Sequence, residues 1–175
     1  MTISQLDAAV VTRQTLAESL FDTMATATAE SGGPGVTRES YSPRETLAHD
    51  LIAKTGAALG LEVAQDFAAN TYVTLAGTDR SAAPIVIGSH LDSVQNGGNF
   101  DGYAGVVAGM VALAAMTDSR WRPTRDIRVM GIRAEESAWF GVSYIGSRSA
   151  LGQLPDGALE TATRADTGRT LADHM

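Results

Sequence analysis

The sequence predicts an α/β domain, with a mostly parallel sheet and helices on both of its faces. Two short and almost wholly apolar segments, 85–91 and 127–133, have the pattern of strands buried in a sheet. A helical segment over 101–116 separates them, and a strand, a helix and a strand in this order indicate a parallel crossover. The first of the two strands is expected to be central in the sheet.

The composition is that of one globular domain with a core. The chain has 175 residues, of which 44% are hydrophobic, and its net charge of −7 argues against a nucleic-acid partner, which would need a basic face. The absence of cysteine excludes disulfides and thiolate-bound zinc, so a metal would have to be bound by imidazole and carboxylate. The longest apolar run is shorter than the roughly 20 residues that span a bilayer. We expect a cytoplasmic protein without a membrane segment.

The first half of the chain is predicted to contain two helices and two strands. Ser42 is a typical helix cap, Pro43 suits the first helical position, and Gly60 is a natural stop. Short runs of β-branched and aromatic residues after Gly60 predict the strands. The predicted elements are a helix over 4–30, a loop over 31–41, a helix over 43–59 and strands over 61–67 and 70–77.

The second half is predicted to alternate strands and helices. Gly105 and Gly109 share one face of the helix over 101–116, and they indicate close packing of that face against a neighbour because glycine otherwise weakens a helix by about 1 kcal/mol. The predicted elements are strands over 85–91 and 127–133, helices over 101–116 and 142–151, a loop around Pro155 and a short final helix from Thr170.

Three candidate site residues lie around the first buried strand. His90 ends that strand, and Asp92 follows at a spacing that lets a carboxylate hold the second imidazole nitrogen, as beside zinc-bound histidines. A hydrogen-bonded histidine at a strand end is the alternative. Asp101 follows a Gly-Gly loop at the start of a helix, where it is either a metal ligand or the helix N-cap.

Two more candidates, Glu135 and Glu136, follow the second buried strand directly. Adjacent acids repel each other unless a cation offsets their charge or one is protonated. One can bind a metal while the other takes a proton from water, the arrangement that metal hydrolases use. A solvated acidic turn is the alternative. Arg133, just before the acids, is a candidate ion-pair partner for one of them.

Three stretches of the chain carry a family resemblance: GSHLDSVQNGGNFDGYAGVVAGMVAL, RAEESAWFGVSYIGSRSALG and YSPRETLAHDLIAKTGAALGLEV. They resemble the M20 dinuclear-zinc peptidase family in its amidase branch, the hydantoinase/carbamoylase enzymes, which include N-carbamoyl-L-amino-acid hydrolases and allantoate amidohydrolases. The resemblance implies the N-terminal portion of a zinc-peptidase-like catalytic domain. It also implies metal-dependent hydrolysis of a non-peptide C–N bond in a small N-carbamoyl or ureido acid.

The resemblance assigns a role to each candidate. It makes His90 a ligand of one zinc, Asp101 the bridging ligand, Glu136 a ligand of the second zinc, Glu135 the general base and Asp92 the residue that orients His90. Two divalent ions are implied, with zinc first and manganese, cobalt or nickel as alternatives. Where most relatives have Gly-Ser-Arg-Phe, residues 137–140 read Ser-Ala-Trp-Phe, which leaves the exact substrate open.

Family enzymes are much longer than this chain. Their later sequence supplies a further histidine to each metal and a small dimerisation domain, whereas His49 and His174 fall in no matching block and are expected at the surface. We therefore expect residues 1–175 to be a single, incomplete catalytic domain that lacks two ligand histidines, from a protein that is a homodimer at full length. The alternatives are a non-catalytic fragment or binding module with a weak metal site, and a peptidase or N-acyl amino acid deacylase of the same family.

Overall fold

The computed structural model describes residues 2–175 and confirms the α/β class. Four strands form one sheet, and helices pack on it. The strands are β1 (Glu62–Gln65), β2 (Thr71–Leu75), β3 (Ile85–His90) and β4 (Ile127–Ile132). The helices are α1 (Ile3–Val11), α2 (Gln14–Thr28), α3 (Pro43–Ala58), α4 (Tyr103–Asp118), α5 (Ser137–Phe140), α6 (Ile145–Ala150), α7 (Ala158–Thr161) and α8 (Leu171–His174).

The sheet is mixed, so the expectation of a mostly parallel sheet is wrong. Its strand order is β1-β2-β4-β3. β3 and β4 run parallel, in register from Ile85 opposite Ile127 to His90 opposite Ile132, as the helical crossover between them predicts. The β1–β2 and β2–β4 pairs are antiparallel. The β1–β2 pair is antiparallel because the five-residue connection over 66–70 is too short for a crossover and returns the chain as a hairpin.

β3 lies at the edge of the sheet, not at its centre as expected. The side chains of Ile85, Val86 and Ile87 are 47%, 49% and 40% exposed. β4 instead has strands on both sides and is the central, buried strand. Among residues 2–175, no strand pairs with the outer edge of β3, so its apolar run stays open on that side.

Helices α3 and α4 make the main helix–sheet contacts, and both lie on one face. Gly56 of α3 packs against Val73, and Gly109 of α4 packs against Val129 and Ile87, which point to the same face. The predicted close packing of α4 is confirmed. The predicted helices on both faces are not found in the described residues. The later helices are short. They gather around a small apolar cluster that includes Trp139, Phe140 and Ile145, separate from the main core under α3 and α4, and they do not cover the opposite face.

Several helix boundaries differ from the prediction. The helix expected over 4–30 is divided into α1 and α2, and Arg13 between them forms an ion pair with Asp118 at the end of α4. The helix expected over 142–151 forms as the shorter α6, and α5, which Gly141 ends in the left-handed conformation, precedes it where no helix was predicted. α7 lies beyond Pro155, where only a loop was expected.

Other local predictions are confirmed. Ser42 Oγ accepts hydrogen bonds from the backbone N–H groups of Arg44 and Glu45 and caps α3, with Pro43 at its first position. The strands after Gly60 and the final helix α8 form where their sequence patterns indicate. No helix within residues 2–175 combines the length and the hydropathy needed to cross a membrane.

Candidate metal centre

The carboxyl ends of β3 and β4 bring three of the candidate residues together. His90 is the last residue of β3, Glu136 lies four residues beyond β4, and Asp101 precedes α4. Their ligand atoms lie within 4.8 Å of one another. His90 Nε2 is 3.9 Å from Asp101 Oδ1 and 4.0 Å from Glu136 Oε1. An imidazole and two carboxylates form a donor set that zinc and related divalent ions accept.

Asp92 orients the His90 ring. Nδ1 of His90 lies 3.0 Å from the carbonyl oxygen of Asp92 and 3.4 Å from its carboxylate, which leaves Nε2 for the two other acids. Burial lowers the pKa of His90, but the hydrogen bonds and the charge of Asp92 outweigh it and raise the pKa to about 9. A metal at Nε2 would therefore displace a proton, and its affinity would rise with pH.

The Asp92 carboxylate also joins β3 to the acidic turn, residues 133–136, which carries Glu135 and Glu136. It is fully buried and accepts hydrogen bonds from Ser40 Oγ at 2.7 Å and from the backbone N–H groups of Glu135 and Glu136, both at 3.0 Å. Burial raises its pKa, but these hydrogen bonds and the one with His90 prevail and lower it. Asp92 is therefore an ionised, saturated acceptor between the histidine and the acid pair.

The side chains of the acid pair diverge. Glu136 turns toward His90, whereas both carboxylate oxygens of Glu135 lie 3.1 Å from Ser147 Oγ on α6. Burial raises the pKa of each acid, and the charge of His90 opposes that rise in both. Glu135 belongs to no ligand group in the described residues, so its carboxylate is separate from the cluster of His90, Asp101 and Glu136.

Asp101 is not the cap of α4. The N-cap is Gly102, with a φ of +65°, and α4 begins at Tyr103 without a side-chain cap. The Asp101 side chain is 57% exposed and is therefore free to turn toward the cluster. A Cβ atom at position 102 would lie 2.4 Å from His90 Cε1, so only a glycine lets the loop approach the ring this closely.

The two other histidines lie elsewhere. His49 was expected at the surface, but it is fully buried because α3 packs on β2, and its Nδ1 lies 2.9 Å from Thr71 Oγ1. His174 is partly buried, with Nε2 2.9 Å from Thr167 Oγ1. Neither histidine belongs to the metal group that the described residues form.

Several residues around the cluster escaped the sequence analysis. Arg38 is fully buried, donates from Nε to the carbonyl of Leu91 at 2.7 Å and lies over the Tyr103 ring at 5.5 Å. The expected ion pair between Arg133 and one of the adjacent acids is wrong, because Arg133 pairs with Glu45 of α3. No sequence spacing signals these contacts, because the partners are far apart along the chain. Others found only in the structure are Ser40, Asn70 and Ser147.

Comparisons with known proteins agree with this arrangement. Residues 70–161, just over half of the chain, match the model of peptidase family M28. An N-carbamoyl-L-amino acid amidohydrolase from Geobacillus stearothermophilus is 41% identical over 81% of this chain and 34% of its own length. An allantoate amidohydrolase from Bacillus subtilis is 36% identical over 70% of this chain and 30% of its own length. The chain thus spans about a third of these curated relatives.

The solved structures give the same relationship. A hydantoinase/carbamoylase family amidase from Burkholderia ambifaria superposes with a TM-score of 0.82 and 31% identity, over 90% of this chain and 39% of that one. The resemblance to hydantoinase/carbamoylase amidases is confirmed, although the matching model carries the M28 description and the sequence analysis named M20. The chain belongs to the M28/M20-like peptidase family, and its relatives there are hydantoinase/carbamoylase amidases.

Proposed function

We propose that this chain carries metal-binding and proton-transfer residues of an amidohydrolase that cleaves a non-peptide C–N bond in an N-carbamoyl or ureido acid. The observation that supports it is the convergence of His90, Asp101 and Glu136, whose ligand atoms lie within 4.8 Å of one another at the ends of two parallel strands. The names of the relatives, which are amidohydrolases of N-carbamoyl amino acids and of allantoate, support the substrate class.

The site would hold two divalent ions, with zinc first and manganese, cobalt or nickel as alternatives, because its imidazole and carboxylate donors suit these metals. His90 would hold one ion, Glu136 the other, and Asp101 would contribute its carboxylate to both. When bound, such ions polarise the scissile carbonyl and lower the pKa of the attacking water.

The remaining residues position groups and move protons. Glu135, with its pKa raised by burial, would take the proton from the attacking water and pass it to the leaving nitrogen. Ser147 would hold its carboxylate in place through hydrogen bonds at 3.1 Å. Asp92 would keep His90 Nδ1 occupied and Nε2 available.

The wider setting of the site belongs to the same proposal. Residues 1–175 would be part of one catalytic domain, of a protein that acts on a small molecule in the cytoplasm and forms a homodimer at full length. Residues 137–140, which differ from the usual family run, follow the acid pair directly, and Trp139 among them donates to the carbonyl of Ser93 at 2.8 Å. We therefore expect residues 137–140 to be where this chain differs from its relatives in substrate preference.

Metal titration tests the proposal. Calorimetric titration of the metal-free chain with Zn²⁺ should show binding that His90→Ala weakens by at least about tenfold, since it removes the only nitrogen ligand of the cluster. His174→Ala removes a histidine that contacts Thr167, away from the cluster, and is the matched control. The zinc-loaded full-length protein is then assayed with N-carbamoyl amino acids, allantoate, N-acetyl amino acids and dipeptides.

Each result decides between the proposal and its rivals. Zinc-dependent hydrolysis of the first two substrate classes supports it. Hydrolysis of N-acetyl amino acids or dipeptides alone would assign the chain to the deacylase or peptidase alternative. Equal zinc affinity of the His90 and His174 variants would refute the metal centre itself. Weak zinc binding by the chain, together with no turnover by the full-length protein, would identify a non-catalytic module.

A further inference from the structure

The backbone after β4 is held by side chains. Four successive N–H groups, those of residues 133–136, each donate to a side-chain oxygen instead of to a neighbouring strand. Arg133 N–H donates to Asn70 Oδ1 at 2.9 Å, and Ala134 N–H donates to Glu45 Oε1 at 2.8 Å. The next two donate to Asp92, as described above. The turn that carries both acids therefore takes its shape from acceptors elsewhere in the chain.

Glu45 has a particular place in this set. It lies in the first turn of α3 and is fully buried. Its Oε1 accepts from Ala134 N–H, while its Oε2 accepts from Tyr41 N–H at 2.5 Å and from Arg133 at 3.1 Å. One carboxylate thus connects the start of α3 to two consecutive residues of the acidic turn. Burial and the charge of Asp92 raise its pKa, whereas Arg133 and the two backbone donors stabilise the ionised form and oppose that rise.

An acid in the first turn of a helix has an ordinary explanation, which is a favourable interaction with the helix dipole. That explanation needs neither burial nor a bond to another segment, and Ser42 already caps α3. The contact with Ala134 also acts where the backbone is strained, because Ala134 has a φ of +52°, a left-handed conformation that is unfavourable for an alanine. Such a conformation persists only where its surroundings hold it.

The Arg133 side chain strengthens the argument. Its position just before two acids invites an ion pair with one of them, yet it turns away to Glu45 and to the carbonyl of Ala69. Glu45 thereby keeps a guanidinium from neutralising either Glu135 or Glu136. Both acids remain free for the cluster and for proton transfer.

We propose that Glu45 is a positioning residue for the acidic turn: by binding Ala134 N–H and engaging Arg133, it fixes the backbone from which Glu135 and Glu136 project. Its consequence for metal binding rests on the proposed function, but its consequence for the turn does not. Loss of this carboxylate would release Ala134 from its left-handed conformation and let Arg133 reach the acids.

Glu45→Gln is the direct test. A carboxamide has one acceptor oxygen, so its NH₂ group would face either Ala134 N–H or the Tyr41 and Arg133 donors. We expect amide hydrogen exchange at Ala134, Glu135 and Glu136 in the metal-free chain to become at least about tenfold faster, with a loss of Zn²⁺ affinity of about 10- to 100-fold, as is typical when an outer partner of a metal ligand is removed.

Ile52→Val is the matched control. Ile52 is buried on the same helix, about two turns further along, and belongs to the main core. A general loss of stability lowers the melting temperature of both variants, but only the Glu45 variant should change exchange at the turn and zinc affinity. Glu45→Asp keeps the charge but shortens its reach, and it replaces the glutamine variant if that one does not fold.

The outcomes separate the two proposals. Unchanged exchange at Ala134 and a zinc affinity equal to that of Ile52→Val would overturn the role of Glu45. If the parent chain takes up no zinc, the proposed function fails, and the exchange rates at residues 134–136 alone then decide the positioning role. Faster exchange confined to the turn supports it in either case.

Discussion

At the scale of single residues, the geometry of the candidate metal centre depends on a close approach between the loop at Gly102 and the His90 ring. Gly102 has a φ of +65°, and a Cβ atom there would lie 2.4–2.5 Å from three atoms of the His90 imidazole. No van der Waals contact is that short, so any side chain at position 102 must displace the ring. The position of His90 Nε2 relative to Asp101 and Glu136 is therefore sensitive to a single methyl group.

We expect Gly102→Ala to lower zinc affinity by at least about tenfold, since it moves the ring that carries the nitrogen ligand, and to destabilise the fold by about 1 kcal/mol through its positive φ. Zinc titration and thermal melting measure the two effects. Gly98→Ala is the control, because a Cβ atom there meets open space. Equal zinc affinity in the two variants would refute the dependence on this approach.

The site residues divide into those that sequence can reveal and those that it cannot. His90, Asp92, Glu135 and Glu136 follow apolar strands directly, and this local pattern predicts their place at the sheet edge. Glu45 and Ser40 give no such signal, because Glu45 has a sufficient local explanation as a helix N-terminal acid and its partner Ala134 is 89 positions away. Only the folded chain brings these groups together.

At the scale of elements, α4 lies so close to the sheet that its glycines are in contact with strand side chains. A Cβ atom at Gly109 would lie 2.7 Å from Val129 Cγ2. Two effects compete in Gly109→Ala: alanine favours the helix by about 1 kcal/mol, while overpacking costs about 1–3 kcal/mol. Because Val129 is β-branched and fully buried, we expect the cost to prevail and urea melts to show a net loss of about 1 kcal/mol.

Ala108→Gly on the neighbouring, exposed position is the control for that substitution. It should cost about 1 kcal/mol through helix propensity alone. If Gly109→Ala instead raised the stability by the same amount, α4 would have room to spare against β4, and the interpretation of its glycines as packing contacts would fail.

Elements with a strong local signal were predicted well. The Ser42 cap and Pro43 fix the start of α3, since both act on the backbone beside them. The break between α1 and α2 has no such signal, because no glycine or proline lies near Arg13, whose ion pair partner is Asp118, 105 positions away. The four-residue helix α5, which Gly141 ends, also gave no signal in the sequence, whereas α6 forms within the segment over 142–151 for which a helix was predicted.

At the scale of the whole molecule, the open edge of β3 is the main liability. Its apolar side chains and free backbone groups form a template for pairing with another strand. We expect light scattering of the chain to show self-association, and Val86→Glu to reduce it, since a charge at a sheet edge opposes pairing with another strand. Arg128 lies opposite position 86 on β4, so the new carboxylate would have an oppositely charged neighbour within the fold.

Val11→Glu makes the same chemical change on an exposed valine at the end of α1, away from the sheet. It should leave the association unchanged. A parent chain that is monomeric with a cooperative melt, or an equal effect of both substitutions, would show that the β3 edge does not drive association.

The edge position of β3 shows the limit of strand patterns. A continuous apolar run predicts a strand without a solvent-facing side, and β4 fits that pattern while β3 does not. The pattern contains no information about which strands lie side by side. It therefore could not show that β4 is central, between the antiparallel β1–β2 hairpin and the parallel strand β3. The fold class and the β3–β4 pair were predictable, whereas the mixed order was not.

The side-chain acceptors of residues 133–136 have a consequence for how the chain reaches its active form. They span sequence separations of 43, 44, 63 and 89 residues, so three distant segments, those of Glu45, Asn70 and Asp92, must dock on the turn before the acid pair adopts its final geometry. Contacts of this range form late, because loop closure has to precede them. Metal binding at the proposed site would thus report completed folding, and a nascent or partly unfolded molecule would release the ion before it lost its helices.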